Sequence, residues 1–199
     1  MKDMLKLGMV LACFATAACV GLALVYNATE EIIAQRSQAD LEAALKDLFP
    51  NADVFSDITG EITSPQSTVS FGSQYAIKQG GTLLGTAIRA SGPSYGGLIT
   101  VLVGVTADGR IAGVKILEHQ DTPGLGANAA SASYFVDKAA KLTFYGQFAG
   151  KSVSDPFEAK EDVAAITAST ITSRAVASVV KASGTAAAAW MNAQEGGVQ

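Results

Sequence analysis

The feature that most constrains this chain is an uncharged stretch near its N-terminus, from Leu7 to Tyr26. A helix rises about 1.5 Å per residue, so a stretch of this length just crosses a hydrocarbon core of about 30 Å. Lys2 and Lys6 precede the stretch, and Glu30 and Glu31 follow it. Because lysine and arginine accumulate on the cytoplasmic side, we expect residues 1–6 to be cytoplasmic and the C-terminal part to be exported.

Two other interpretations of the apolar stretch stay open. Ala15-Thr16-Ala17 is similar to the small-residue site at which a signal peptide is cleaved. Alternatively, Cys13 or Cys19 would be the lipidated residue of a lipoprotein signal. Both alternatives leave an apolar tail, up to Val25, on the mature protein. We therefore expect a retained transmembrane helix over residues 7–26.

Cysteine and histidine counts limit the chemistry of the remaining chain. Cys13 and Cys19 are the only cysteines, and His119 is the only histidine. The part after Tyr26 therefore has no thiolates for a disulfide framework, a zinc site or an iron–sulfur cluster. A multi-histidine metal site is excluded as well. The formal net charge of −4 does not indicate a nucleic-acid-binding protein.

A helix is predicted directly after the membrane segment. Thr29 is a candidate cap, and Leu41, Leu45 and Leu48 recur on one face up to Phe49. Pro50-Asn51 then ends the helix. This connecting helix, over residues 27–50, would lead from the membrane to a domain formed by residues 51–199.

Two hairpins are predicted next. Strand-like segments flank Gly80-Gly81 and Asp108-Gly109, which are both hairpin turn signals. Ala90–Gly97 is rich in glycine, proline and serine, which predicts a loop. Leu98–Ala107 is apolar on both faces, which predicts a central strand.

Helical patterns follow the hairpins, over about Ala129–Leu142 and Ser173–Asn192. Hairpins first and helices around them predict an α+β domain with a largely antiparallel sheet and flanking helices. One N-terminal transmembrane helix would precede this domain.

Hydroxyl side chains cluster just before the last predicted helix, at Thr167, Ser169, Thr170, Thr172 and Ser173. One of them, Thr170 or Thr172, is expected to cap the helix. A helix start also presents free N–H groups and the positive end of the helix dipole, and Arg174 adds a charge. The pattern therefore permits both a simple cap and a phosphate site in which a hydroxyl is esterified.

Three separate segments resemble the FMN-binding domain family. TASTITSRAV, residues 167–176, resembles its flavinylation motif, in which a threonine carries FMN through a phosphoester bond. The matching position is Thr170. HQDTPGLG, residues 119–126, is similar to the second signature of the family, and SYGGLITVLVGV, residues 94–105, to its glycine-containing strand entry. Order, spacing and the single N-terminal anchor resemble the G subunits of Rnf electron-transport complexes.

The chain departs from the family pattern at three positions. Ala168 stands where glycine is usual, Ser169 where alanine is usual, and Asp121 where glutamate is usual. Ala168 disfavours a positive φ angle, which glycine adopts freely. Ser169 adds a second hydroxyl beside Thr170, but Thr170 keeps the family register and is the expected attachment site.

The resemblance implies an electron-transfer subunit of a membrane-bound, ion-translocating ferredoxin:NAD oxidoreductase complex. Its partners would be other membrane and cluster-carrying subunits. Its covalent FMN would be added by a magnesium-dependent flavin transferase that uses FAD as donor, in a bacterial or archaeal inner membrane. The cofactor-binding residues expected besides Thr170 are Ser169, Thr172, Ser173, Thr122, Pro123, Gly124, Leu125, Gly126, Tyr95, Gly96 and Gly97.

The resemblance also implies a role for each motif. The N–H groups of Thr172 and Ser173 would bind the phosphate, and Leu125 would pack on the flavin ring. Residues 95–97 would line its opposite side. His119 is expected to be peripheral, and Asp121 to cap the turn or place the loop. A plain strand-to-helix turn would explain Pro123-Gly124 equally well.

Three other functions are considered. The C subunit of the sodium-translocating NADH:quinone reductase resembles the chain in motif and topology. A hydrolase would pair one of the hydroxyls with His119, but no nucleophile-elbow motif supports this. A membrane-tethered assembly module would bind no cofactor.

Overall fold

The N-terminal part of the chain is a single long helix. The computed structural model describes residues 2–196, so the predictions for Met1 and residues 197–199 lie outside the described residues. Helix α1 spans Lys2–Leu48 and is long and apolar enough to cross a membrane, by length and composition. Residues up to Glu42 and residues from Ala43 onward form separate compact units.

The predicted helix start at Thr29 is wrong. Thr29 lies inside α1, where its Oγ1 donates to the carbonyl oxygens of Val25 and Tyr26 at 2.9 and 3.2 Å. A threonine hydroxyl can bond backward to a carbonyl as readily as it caps a following helix. The helix therefore continues without a break through this position.

The unit from Ala43 onward is built around a five-stranded antiparallel sheet in sequential order. Every neighbouring pair of strands is antiparallel, which confirms the predicted α+β class. The strands are β1 Val54–Asp57, β2 Ser70–Gln79, β3 Thr82–Pro93, β4 Leu98–Thr106 and β5 Ile111–Glu118.

Both predicted hairpins are confirmed. Gly80 and Gly81 join β2 to β3 with φ angles of +55° and +84°, and Gly109, at +75°, lies in the turn before β5. The loop predicted over Ala90–Gly97 is shorter than expected, because β3 continues to Pro93 and pairs there with Leu98. Only residues 94–97 form the turn, which the Ser94 N–H closes by donating to the Gly97 carbonyl at 2.7 Å.

Strand β4 is buried on both faces and lies between β3 and β5, as its apolar pattern predicted. Helix α2, Thr170–Gly196, packs on β3 and β4 from one side. On the other side, Leu48 and Phe49 lie so close to Gly104 that a Cβ there would be 3.3 and 2.9 Å from them. Both faces of the sheet are therefore covered at this strand.

The helix predicted over Ala129–Leu142 is wrong. The segment begins at the end of a 3-10 helix, Gly126–Ala130, and contains most of a small hairpin of β6 Phe135–Asp137 and β7 Leu142–Thr143. The Asp137 carboxylate accepts the N–H groups of Ala139 and Ala140 at 2.8 and 3.1 Å. Such side-chain bonds favour a turn over a helix, and Lys141 follows with a φ of +51°.

Candidate functional site

The three sequence motifs meet at one cavity of about 450 Å³. Its volume falls within the range of roughly 300–1,000 Å³ that is usual for ligand pockets. Residues from the β3–β4 turn, from the segment after β5 and from the start of α2 line it. They are Tyr95, Asp121, Thr122, Leu125, Gly126, Ala168, Ser169, Thr170, Ile171 and Thr172.

One wall of the cavity is the start of α2. The Ser169 carbonyl accepts the first helical hydrogen bond, from the Ser173 N–H at 3.1 Å, so Ser169 occupies the cap position. The cap predicted at Thr170 or Thr172 is therefore one or three residues too late. Within residues 2–196, the N–H groups of Thr170, Ile171 and Thr172 have no acceptor. Free N–H groups at a helix start form an anion site.

Ser173 is not available to a phosphate. Its hydroxyl donates to the Ser169 carbonyl at 2.9 Å and accepts the Ile166 N–H at 2.9 Å, and the residue is fully buried. Its own N–H is used in the helix. The predicted role of Ser173 as a phosphate ligand is therefore wrong, because both groups hold the turn before the helix.

That turn explains the glycine usual at position 168. The Ser169 N–H donates to the Ile166 carbonyl at 3.0 Å, which places Thr167 and Ala168 at the two central positions. Ala168 has a φ of +59°, a left-handed conformation that favours glycine. The Tyr134 hydroxyl supports the turn by accepting the Thr167 N–H at 3.2 Å.

The opposite wall is the turn after β5. The Thr122 carbonyl accepts the N–H groups of Leu125 and Ala127 at 3.1 and 3.2 Å. Gly124 has a φ of +77°, which suits glycine. Thr122 and Leu125 line the cavity, whereas Pro123 and Gly124 shape the turn without lining it.

Gly126 lies where this turn touches the start of α2. A Cβ on Gly126 would be 2.6 Å from Thr172 Oγ1 and 2.7 Å from Asp121 Cβ. No side chain fits there without a shift, so the two walls approach each other only because position 126 is glycine.

The β3–β4 turn contributes Tyr95 to the cavity. Gly96 and Gly97 do not line it but pack on the backbone and side chain of Gln120; a Cβ on Gly96 would be 2.2 Å from the Gln120 carbonyl oxygen. Asp121 is 5% exposed, and its two carboxylate oxygens accept the Gly96 N–H at 2.6 Å and the Ser94 hydroxyl at 2.7 Å. The two loops are thus tied together by Asp121.

Sequence reasoning missed two participants. Ser94 binds Asp121, and Ile171 lines the cavity. Ile171 is 56% exposed, and Tyr95 and Leu125 are 69% and 42% exposed. The sequence signal that could have identified Ile171 is an apolar residue on the exposed face of the first turn of a helix. Together these three side chains give the cavity an apolar rim beside its anion site, which fits a flat ring joined to a phosphate.

His119 lies outside the cavity lining. It is half-buried, and its Nδ1 is buried with no hydrogen-bond partner in the described part of the chain. No hydroxyl of the cavity bonds to it among residues 2–196. The geometry therefore provides no histidine-activated hydroxyl for a hydrolase. The same residues contain no group of three histidine, cysteine, aspartate or glutamate side chains able to hold a metal ion.

The part of the chain that lines the cavity also matches a known protein family. Residues 94–183, which include its lining, match the FMN-binding domain family, and residues 1–48 match the RnfG N-terminal region. The G subunit of the proton-translocating ferredoxin:NAD(+) oxidoreductase complex of Clostridium ljungdahlii is 32% identical over 80% of this chain and 78% of its own. The G subunit of the ion-translocating oxidoreductase complex of Vibrio atlanticus is 34% identical over 88% and 86%.

The chain belongs to the family of G subunits of ion-translocating oxidoreductase complexes. The corresponding G subunit from Cereibacter sphaeroides is 35% identical over 75% of this chain, and the chain spans 65% of its length. The solved structure of NqrC from Shewanella oneidensis covers 74% of this chain, with a TM-score of 0.49 and 18% identity.

Membership of this family confirms the resemblance seen in the sequence. The FMN-binding domain identifies FMN as the cofactor, and the apolar rim and free N–H groups suit its ring and phosphate. The N-terminal match and the long apolar helix identify a membrane protein.

Proposed function

We propose that this chain is the electron-transferring G subunit of a membrane-bound, ion-translocating ferredoxin:NAD oxidoreductase complex, and that it carries FMN on Thr170 through a phosphoester bond. The observation that carries the proposal is the position of Thr170. It lies at the first position of α2, lines the cavity, and stands beside the free N–H groups of the helix start.

Exposure favours Thr170 over the neighbouring hydroxyls. Ser169 and Thr172 are 7% and 1% exposed, and Ser173 is fully buried. Thr167 is exposed but does not line the cavity. Thr170 is half-buried, and its Oγ1 makes no hydrogen bond within residues 2–196. It therefore combines access for a modifying enzyme with a place in the cavity.

Attachment would follow the chemistry of a flavin transferase with FAD as donor. Thr170 Oγ1 would form a bond to the FMN phosphorus, the diphosphate bond would break, and AMP would leave with its phosphate. The hydroxyl proton would pass to a base of the transferase. The resulting phosphodiester keeps one negative charge. A negative charge at a helix start is stabilised by about 0.3–1 kcal/mol, here by the N–H groups of Ile171 and Thr172.

Bound FMN would supply the electron transfer, and the residues of the chain would hold and shield it. Tyr95, Leu125 and Ile171 would offer apolar surface to the ring system and shield from water the part that they contact. A covalent bond keeps the flavin on a domain that we place outside the cytoplasm, where lost FMN is not easily replaced. Lys2 and Lys6 support this orientation, with the N-terminus in the cytoplasm.

The partners proposed are the other membrane and cluster-carrying subunits of the complex, since this chain has no cysteines after Cys19 to hold clusters of its own. The relatives, which are named as G subunits of such complexes, favour this assignment over the sodium-translocating NADH:quinone reductase.

The test is maturation of the full chain together with the flavin transferase of its own host. Mass spectrometry of the peptide spanning Thr170 should show one FMN, and the yellow colour should survive denaturation. Thr170→Val should remove all covalent flavin, and Thr170→Ser should retain part of it. Ser169→Ala and Thr167→Val, as matched controls, should keep it. Flavin that stays bound to the unfolded Thr170→Val chain would disprove the attachment site.

A further inference from the structure

Asp121 occupies an unusual position in the cavity. It is a nearly buried carboxylate that lines the cavity, and its two oxygens accept hydrogen bonds from the Ser94 hydroxyl and the Gly96 N–H. No lysine, arginine or histidine of the described residues pairs with it. Asp121 therefore lies at the cavity without a paired cation among the described residues.

The same residue connects all three segments that line the cavity. Its hydrogen bonds hold the β3–β4 turn, it directly precedes Thr122, and its Cβ would be 2.7 Å from a Cβ on Gly126. Gly126 in turn touches Thr172 at the start of α2. Movement of Asp121 would therefore change the distance between the Tyr95 side and the Leu125 side of the cavity.

We propose that Asp121 is a positioning residue that holds the Ser94–Gly97 turn as a fixed wall of the FMN cavity and lowers the reduction potential of the bound flavin by its charge. The proposal rests on the proposed function of this cavity. Charges interact more strongly in a site that excludes water than in bulk solvent, and a negative charge opposes the addition of an electron nearby. The two hydrogen bonds hold that charge at a defined position.

Three substitutions separate the charge from the tether. Asp121→Asn keeps the size of the side chain and removes the charge; its oxygen can still accept the Gly96 N–H, and the Ser94 hydroxyl can rotate to accept from its amide. Ser94→Ala removes one hydrogen bond and keeps the charge. Asp121→Ala removes the charge and both bonds. Asp108→Asn is the matched control, because Asp108 is exposed and lies at the opposite end of β4.

Two measurements on the full chain in detergent test the proposal. Hydrogen exchange of the Gly96 amide, measured on chain produced without the transferase, should be at least tenfold faster in Asp121→Ala. In Asp121→Asn it should stay within a few-fold of the unsubstituted chain. The midpoint potential of the flavin, measured on matured chain, should rise in Asp121→Asn and be unchanged in Asp108→Asn. Ser94→Ala should shift it less than Asp121→Asn does.

An unchanged potential in Asp121→Asn would overturn the proposal, and so would unchanged Gly96 exchange in Asp121→Ala. Flavin content after denaturation is measured first on every variant. If the unsubstituted chain carries no flavin after maturation, the proposed function is contradicted instead. Hydrogen exchange at Gly96 in the unmodified chain would still test whether Asp121 holds the Ser94–Gly97 turn. The two failures are therefore distinguishable.

Discussion

The two walls of the cavity that we propose for FMN are held in different ways. At the start of α2, the wall consists of residues adjacent in sequence, 166–173, and its donors are free because a helix always leaves its first N–H groups unbonded. At the loop wall, Asp121 binds Ser94 and Gly96, which lie 27 and 25 positions away. One wall supplies donors to an anion, and the other presents a carboxylate and apolar side chains. Local geometry builds the first, and tertiary contacts build the second.

The strongest test of this difference is the point where the walls touch. Gly126→Ala would place a Cβ 2.6 Å from Thr172 Oγ1 and 2.7 Å from Asp121 Cβ. We expect a loss of about 1–3 kcal/mol in the free energy of unfolding, as for other overpacked sites. Urea unfolding of the full chain in detergent, followed through its single tryptophan, measures it.

Gly72→Ala is the control for that substitution, because a Cβ there meets its nearest neighbour at an ordinary 3.6 Å. It should cost clearly less than Gly126→Ala. Equal losses in the two variants would mean that the contact between the walls is not tight.

A smaller effect is expected where a side chain supports the helix wall from outside. Tyr134→Phe removes the acceptor of the Thr167 N–H, and a hydrogen bond of this kind contributes about 0.5–1.5 kcal/mol. Tyr145→Phe is the matched control, because the Tyr145 hydroxyl makes no hydrogen bond in the described part of the chain. If both variants unfold at the same urea concentration, the turn does not depend on Tyr134.

The helix wall should also gain stability from a substitution. Ala168→Gly relieves a left-handed conformation that costs alanine about 1–2 kcal/mol, while the more flexible unfolded chain takes back about 0.4–1 kcal/mol. We expect a net gain of about 0.5–1 kcal/mol in the same unfolding experiment. Ala132→Gly, at a position without a positive φ, should give no gain, and a gain there would undermine the strain argument.

The smallest effect concerns a second carboxylate that holds a loop through hydrogen bonds. Unlike Asp121, this carboxylate is paired with a cation, so it sharpens the comparison. Burial opposes ionisation of Asp162, but the Glu158 N–H and the hydrogen bond and charge of Lys151 outweigh it, so the pKa of Asp162 lies below its usual 3.8. A depressed pKa stabilises the fold above the unfolded value and loses that contribution as the pH falls through the folded value.

This contribution can be measured by comparing the stability cost of one substitution at two pH values. Asp162→Asn should cost at most about 1 kcal/mol at pH 7 and less below pH 3.8, where the unsubstituted chain also loses the contribution. Glu161→Gln, next to it and exposed, is the control and should cost clearly less than Asp162→Asn at pH 7. A cost that stays constant from pH 7 to pH 3 would rule out the charge as its cause.

The outcomes of the sequence predictions also differ between features set by neighbouring residues and features set by hydrogen bonds that the sequence does not reveal. The glycine turns of the hairpins were predicted because the turn type depends on two adjacent residues. The helix over Ala129–Leu142 was wrong because Asp137 bonds to Ala139 and Ala140 in a turn, and alanine-rich composition does not reveal such a bond. Ser173 was assigned to the phosphate because its bond to the Ile166 N–H is not visible in the sequence.

By itself, the sequence determined the apolar helix, the two antiparallel hairpins and the hydroxyl cluster at a helix start. These depend on periodicity and on neighbouring residues, which a linear pattern contains. Only the tertiary structure decided that Asp121 ties the Ser94–Gly97 turn to the cavity and that Gly126 lets the two walls meet. It also decided that Thr170 is the hydroxyl of its cluster that lines the cavity without being buried. These features depend on burial and on hydrogen bonds between residues distant in sequence, which only folding brings together.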